Sequence, residues 1–188
     1  MASGLTHLFT AAALGKIYTG EKMPPRFWVL AAACSLVPDL DVLGFHYGIK
    51  YADLFGHRGF THSLFFALLL SLIVVMTAFR MVPALSKTWW GLVGFFFTVT
   101  ASHGVLDAMT DKGYGIAFFL PIDNTRYFLP WRPIYASPMR IPRFFSLAGL
   151  EIVAGEVLWI WAPLTLVAAS AWWYRRKKGP SRQLKKSG

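Results

Sequence analysis

His57-Arg58-Gly59-Phe60-Thr61-His62-Ser63 runs without a break into the apolar stretch Leu64 to Phe79. Two of the chain's five histidines stand here, with an arginine and a glycine, at the mouth of a segment that predicts a membrane helix. Ionisable side chains at such a boundary are costly unless they pair or bind something. The stretch therefore answers two questions together. It marks a membrane protein, and it says that the chemistry gathers where helices meet the membrane surface.

Composition agrees. Of 188 residues, 55% are hydrophobic and only 15% charged, too little polar surface to cover a soluble globule of one compact unit. Sixteen Phe, eight Trp and seven Tyr suffice for aromatic belts at two interfaces. The expected fold is all-α, a polytopic membrane helical bundle of about five apolar segments: 4–18, 25–37, 63–82, 89–109 and 147–174. Segments 63–82 and 89–109 approach the ~20 residues of a bilayer crossing. Segments 4–18 and 25–37 are short for one and read as tilted or partly embedded. Between them and the last segment lies 110–146, a stretch rich in Pro, Arg and aromatics. Its Pro121, Pro130, Pro133, Pro138 and Pro142 exclude a continuous helix, so it is expected as an extramembrane cap.

The net charge of +10 does not point to nucleic acid, because the basic residues lack an interleaved surface pattern. Seven of the nineteen lie in the last fourteen positions, after Trp172-Trp173-Tyr174. That places one membrane domain at 1–174 and a basic, disordered cytoplasmic tail at 175–188. Counting back from an inner C-terminus gives twelve basic residues inside and seven outside (Arg140 and Arg143 among them), with eight of the nine acids outside. No cleavable leader is expected, since the first basic residue is Lys16. The single Cys34 excludes an internal disulfide and a multi-thiolate metal site, and reads as a small buried apolar residue.

In an antiparallel bundle the polar residues of the apolar segments meet at one end. His7 opens the first segment and Asp39 and Asp41 close the second. His57 and His62 open the third, His103 and Asp107 close the fourth, and Glu151 and Glu156 open the fifth. His103 and Asp107 are spaced i,i+4 and share one helical face. His57 and His62 can face one point if Gly59 breaks the chain and Thr61 caps the following helix. Thr6-His7 and Thr61-His62 also hint at two related hairpins, each closing on an acidic signal. His46, between Phe45 and Tyr47, reads as interfacial. Imidazoles and carboxylates without thiolates suit Zn²⁺ first, with Mn²⁺ or Fe²⁺ as alternatives. His7, Asp39, Asp41, His57, His62, His103 and Asp107 outnumber the four ligands of one structural zinc, so two or more ions are expected, and one of the Asp39/Asp41 carboxylates could bridge them. Arg58, Arg126 and Arg132 offer planar donors for a phosphate.

These motifs, with Arg126-Tyr127-Phe128-Leu129-Pro130-Trp131-Arg132-Pro133-Ile134 and Ser137-Pro138, resemble the YdjM-like inner-membrane proteins over residues 3 to about 160. The resemblance implies a bacterial inner-membrane location and a metal-dependent hydrolase, in some members under LexA control. The ligand chemistry is also loosely similar to that of zinc-dependent phospholipase C. The expectation is a phosphoric ester hydrolase, phospholipase C-like or phosphatase-like, with its site facing the periplasm and a lipid or lipid-linked substrate. Asp39, His62 and Glu156 are its candidate catalytic residues, and Arg58, Arg126 and Arg132 its phosphate binders. The rivals are a metal-binding regulatory or carrier protein without catalysis, and a metal-dependent ester or amide hydrolase. Ligands gathered at one end count against a carrier, whose sites lie near the midplane.

Overall fold

The computed structural model describes residues 1–137 and 146–178. Among the described residues the chain is helical and has no β-strand, only isolated bridges joining Thr110 to Ile134 and Ile116 to Tyr127. The first hairpin is α1 (Gly4–Tyr18) and α2 (Pro25–Leu36), with α2 continuing into a 3₁₀ stretch, Val37–Tyr47. The second hairpin is α3 (Leu64–Ala78) and α4 (Lys87–Ala108), entered by a short 3₁₀ turn, Phe60–His62. The last helix is built from α5 (Leu147–Glu156), a π-helical turn (Val157–Trp161) and α6 (Ala162–Lys178). It packs along α1.

Serines set three of the helix starts. Ser3, Ser63 and Ser86 each accept a hydrogen bond from a backbone amide three residues on, satisfying donors that an open first turn leaves bare. Between the hairpins lies an apolar core in which Phe27, Val75, Phe96 and Val99 are fully buried. Cys34 is a free thiol buried in it, in keeping with its apolar neighbours.

Among the described residues three helices are long and apolar enough to cross a bilayer: Pro25–Tyr47, Lys87–Ala108 and Gly149–Lys178. The count of about five segments expected from hydropathy is thus not confirmed by the fold. Segment 25–37 proves longer, because Pro38 sits in the opening turn of the 3₁₀ stretch, where its missing N–H leaves no bond unmade. Segment 63–82 proves shorter, because the helix ends at Ala78 and the apolar Phe79 to Val82 fall in the turn before Pro83. At 15 residues, α1 and α3 reach only about 22 Å, short of a ~30 Å hydrocarbon layer.

The stretch from Thr110 to Ser137 is non-helical, as its prolines require. Pro138, Arg140, Pro142 and Arg143 lie outside the described residues, as does the tail from residue 179. The expected boundary at 174 falls inside a helix: α6 runs to Lys178, with Arg176, Lys177 and Lys178 over the rings of Trp172, Trp173 and Tyr174. Arg175 donates to the carbonyls of Lys16 and Ile17 at the end of α1.

Gly59 is required by close approach. A Cβ there would run into the carbonyl oxygens of Leu54 and Gly56, backbone atoms that no rotamer change can move. Gly59→Ala should therefore destabilise the protein by about 1–3 kcal/mol through forced backbone displacement. A melting midpoint in detergent equal to wild type would contradict this.

Candidate metal centre

Every element that carries a candidate ligand ends at the same place. His7 lies in the first turn of α1, Asp39 and Asp41 in the 3₁₀ stretch after α2, and His62 closes the turn that leads into α3. His103 and Asp107 occupy the end of α4. Antiparallel packing of two hairpins brings both helix starts and both helix ends together. Gly104 allows the closest of these approaches, since a Cβ there would stand 3.0 Å from the His62 carbonyl oxygen.

Asp39, His62, His103 and Asp107 form a group whose ligand atoms all lie within 4.8 Å of one another. Asp39 Oδ1 is 3.3 Å from His103 Nε2 and 3.7 Å from His62 Nε2, and Asp107 Oδ2 is 3.9 Å from His62 Nε2. Tetrahedral ligands at bonds of about 2.0–2.1 Å stand about 3.3 Å apart, so the cluster is a slightly open version of that geometry. Its decisive property is negative. Asp39 Oδ1, His62 Nε2, His103 Nε2 and Asp107 Oδ2 are buried, and none has a hydrogen-bond partner. One such orphan costs about 1–3 kcal/mol, and four of them facing one another form a group that could hold a cation. The donor set fits a divalent ion: two imidazoles and two carboxylates without sulfur suit zinc, and manganese or iron as well.

The far side of each ligand is fixed. His103 Nδ1 lies 2.7 Å from the Ser35 carbonyl oxygen, an acceptor, so this nitrogen carries the proton and Nε2 keeps its lone pair for the cluster. His62 Nδ1 lies 3.1 Å from Asp41 Oδ2. Asp41 in turn receives bonds from Thr61 Oγ1 at 2.8 Å and the Arg58 amide at 3.1 Å, and its other oxygen meets His57 Nδ1 at 2.7 Å. Asp41, His57 and His62 are spaced so that they could hold an ion themselves. With its oxygens already accepting these bonds, Asp41 acts more readily as the anchor that orients His62. Asp107 Oδ1 accepts from the Ala2 amide at 2.7 Å. His7 stacks on His103 with ring centroids 3.8 Å apart, its Nε2 is 3.6 Å from Asp107 Oδ1, and neither of its ring nitrogens has a hydrogen-bond partner.

Of the remaining expected site residues, Arg58 lies at the cluster and the others lie outside it. Glu156 is fully buried but outside the cluster: its carboxylate accepts from the Ser3 amide, the Ser3 hydroxyl and the Thr6 hydroxyl. It thereby ties the start of α1 to the last helix. Arg126 donates to the carbonyls of His57, Tyr51 and Asp53, three of its five N–H groups, and so holds the loop before the cluster. Arg132 lies over the Phe128 ring on the surface. Arg58 is at the cluster but almost fully buried, donating to the Lys112 carbonyl and Thr110 Oγ1. Its Nε is unpartnered, 3.4 Å from Asp107 Oδ2. Glu151 and His46 are exposed. Sequence reasoning missed Ser35, Ala2 and Thr110, which act through backbone groups or a hydroxyl and carry no signature of their own.

Burial opposes charging of the His62 imidazole, but the carboxylates of Asp39 and Asp41 outweigh it and push its pKa from 6.5 up to about 9. A metal ion must displace that proton. Affinity for the ion should rise with pH toward about 9, with a proton released on binding near neutrality. The metal-free protein should show the reverse. A raised folded-state pKa gives stability that is present below 6.5 and lost as pH rises through about 9. Calorimetric titrations in two buffers of different ionisation enthalpy would read the proton directly, and identical heats in both would contradict it.

A buried His/Asp cluster that could hold a metal, at the ends of membrane-length helices, defines the class: a membrane protein with a candidate metal centre. The family model described as YdjM inner membrane protein matches residues 1–178, and the chain belongs to that family. It is 34% identical to inner membrane protein YbcI of Escherichia coli (strain K12) over 178 residues, covering 94% of this chain and all of that relative. No solved structure matches.

Proposed function

We propose that the chain is a membrane-embedded, metal-dependent hydrolase that cleaves a phosphoester of a phospholipid or lipid-linked phosphate. The observation that carries this is the set of four buried, unpartnered donor atoms of Asp39, His62, His103 and Asp107. A divalent ion held by them would supply Lewis acidity and an acidified water, of pKa near ~7 for zinc. The chain's own residues supply the rest. Asp41 and the Ser35 carbonyl hold the imidazoles in the required tautomers. His7, with both ring nitrogens unpartnered beside Asp107, is placed to take and return a proton. Arg58 Nε, ion-paired with Asp107 at 3.4 Å but without a hydrogen bond, is the guanidinium donor at the cluster among the described residues, and the phosphoester preference rests on it.

One observation favours the non-catalytic rival. Four protein donors close a tetrahedron, whereas zinc enzymes commonly supply three and leave a position open. Asp39 alone of the four is partly exposed, at 15%, so a reactant would reach the centre past it. The test is turnover of a panel of phospholipids and polyprenyl phosphates by metal-loaded protein, beside His7→Gln. We expect His7→Gln to keep its metal and lose about 10²–10⁴-fold in rate, as for a removed acid–base group. Full metal occupancy with no turnover of any panel member would move the chain to the non-catalytic class.

A further inference from the structure

An apolar cleft of about 440 Å³ runs between α1, α4 and the last helix. It is lined by Ala101 and Val105 of α4, Trp159 and Ile160 of the π-helical turn, and Thr10 and Leu14 of α1. α4 and the last helix are both long and apolar enough to span, so the cleft opens toward lipid. Val105 and Trp159 are exposed at its mouth, while Thr10 and Ile160 are buried at its floor.

Two observations set this cleft apart from an ordinary seam between helices. The first is Thr10 Oγ1, which is buried, only 4% exposed as a residue, and has no hydrogen-bond partner. Other hydroxyls on its walls, Thr98 and Ser102, bond to carbonyls of their own helix and leave their faces apolar. A Thr could do the same, and the unused hydroxyl is therefore available to a ligand oxygen. The second is position. Thr10 lies one helical turn beyond His7 on the same face of α1, and α4 lines the cleft with Ser102 and Leu106, each next in sequence to a metal-centre residue. The π-helical turn supplies Trp159 and Ile160 to the same cleft, and such turns recur at functional sites.

We infer that this cleft holds an acyl chain of a membrane glycerolipid, with the Thr10 hydroxyl donating to the lipid's ester oxygen and the headgroup directed to the metal centre. The inference rests on the proposed function for what happens at the headgroup, but occupancy of the cleft does not depend on turnover. An acyl chain meets apolar walls along the cleft, and the ester oxygen comes where the chain ends and the headgroup begins, next to His7. A single polar contact near the headgroup end of an otherwise apolar cleft matches a glycerolipid, which carries its ester oxygen where the apolar chain ends.

Metal-loaded protein in nanodiscs containing phosphatidylglycerol with a diazirine at mid-chain tests this, with the photoadducts mapped by mass spectrometry. Ala101, Val105 and Trp159 should be labelled severalfold more than Phe65, Leu69 and Met76, exposed apolar residues of α3 that do not line this cleft. Ala101→Trp should lower cleft labelling to the α3 level with metal content unchanged. Thr10→Val, which keeps the volume and removes the hydroxyl, should also lower it severalfold. Equal labelling of cleft and α3 in wild type would overturn the proposal, and unchanged labelling in Thr10→Val would overturn the role of the hydroxyl. Cleft labelling without hydrolysis would leave the inference standing and remove the hydrolase, whereas hydrolysis without cleft labelling would do the opposite.

Discussion

Asp39→Asn and His103→Gln proteins, purified beside wild type, should each lose the divalent ion, with affinity falling by about 100-fold or more. Each change weakens or removes a ligand atom that has no hydrogen-bond partner; Asp39→Asn keeps the side-chain shape, while His103→Gln also gives up the stack on His7. Asp41→Asn should fall less, by about 10–100-fold, because it touches the ion only through His62. Arg132→Ala should bind as wild type does, since its guanidinium lies over Phe128 on the surface. Elemental analysis together with competition against a chromophoric chelator measures all four. The ordering is the discriminating part. A general loss of folding would strip metal from every variant, and a cluster that is merely a hydrogen-bonded knot would bind no divalent ion in wild type.

The convergence of that cluster was legible because helix ends obey simple geometry. Antiparallel hairpins put every start beside every end, so His7, Asp39, His62, His103 and Asp107 had to share one end once the segments were drawn. The faint repeat of Thr6-His7 and Thr61-His62 turns out to be a reciprocal arrangement. His62 of the second hairpin faces Asp39 of the first, while His7 of the first faces Asp107 of the second. Each threonine hydroxyl bonds a carboxylate, Glu156 for Thr6 and Asp41 for Thr61.

Other features were not legible, for definite physical reasons. Hydropathy counts apolar residues whether or not they are helical, which is why Phe79 to Val82 lengthened one segment and Pro38 seemed to end another. An arginine shows its charge in a sequence but not where its donors go. Arg126 gives three of its five N–H groups to carbonyls of the preceding loop, and Arg58 uses two of its three nitrogens beside the cluster. The partners of Glu156 were hidden for a related reason: a carboxylate in an apolar helix signals a buried partner, and the sequence does not say whether that partner is a metal, a water or, as here, the amide and hydroxyls of Ser3 and Thr6.

Glu156→Leu should destabilise the protein by about 3–5 kcal/mol, the largest stability loss expected of any single change outside the apolar core. The leucine fills the space but strands the Ser3 amide, the Ser3 hydroxyl and the Thr6 hydroxyl, each buried and each worth about 1–3 kcal/mol when left without an acceptor. The Ser3 hydroxyl can turn elsewhere, which keeps the total below the simple sum. Thr6 also accepts from Trp161 Nε1 at 2.8 Å, so the damage reaches the last helix as well as α1. Glu156→Gln keeps an acceptor for the Ser3 amide and should cost only about 1–2 kcal/mol. Its metal content should be that of wild type, because no atom of Glu156 belongs to the ligand group. Here the positioning role parts from the catalytic one. A glutamate that activated water would tolerate Gln in a melting experiment yet lose nearly all turnover, whereas a glutamate that clamps α1 to the last helix shows its loss in the melting midpoint and only modestly in rate. A Glu156→Gln protein with wild-type stability and no activity would return this residue to the reaction.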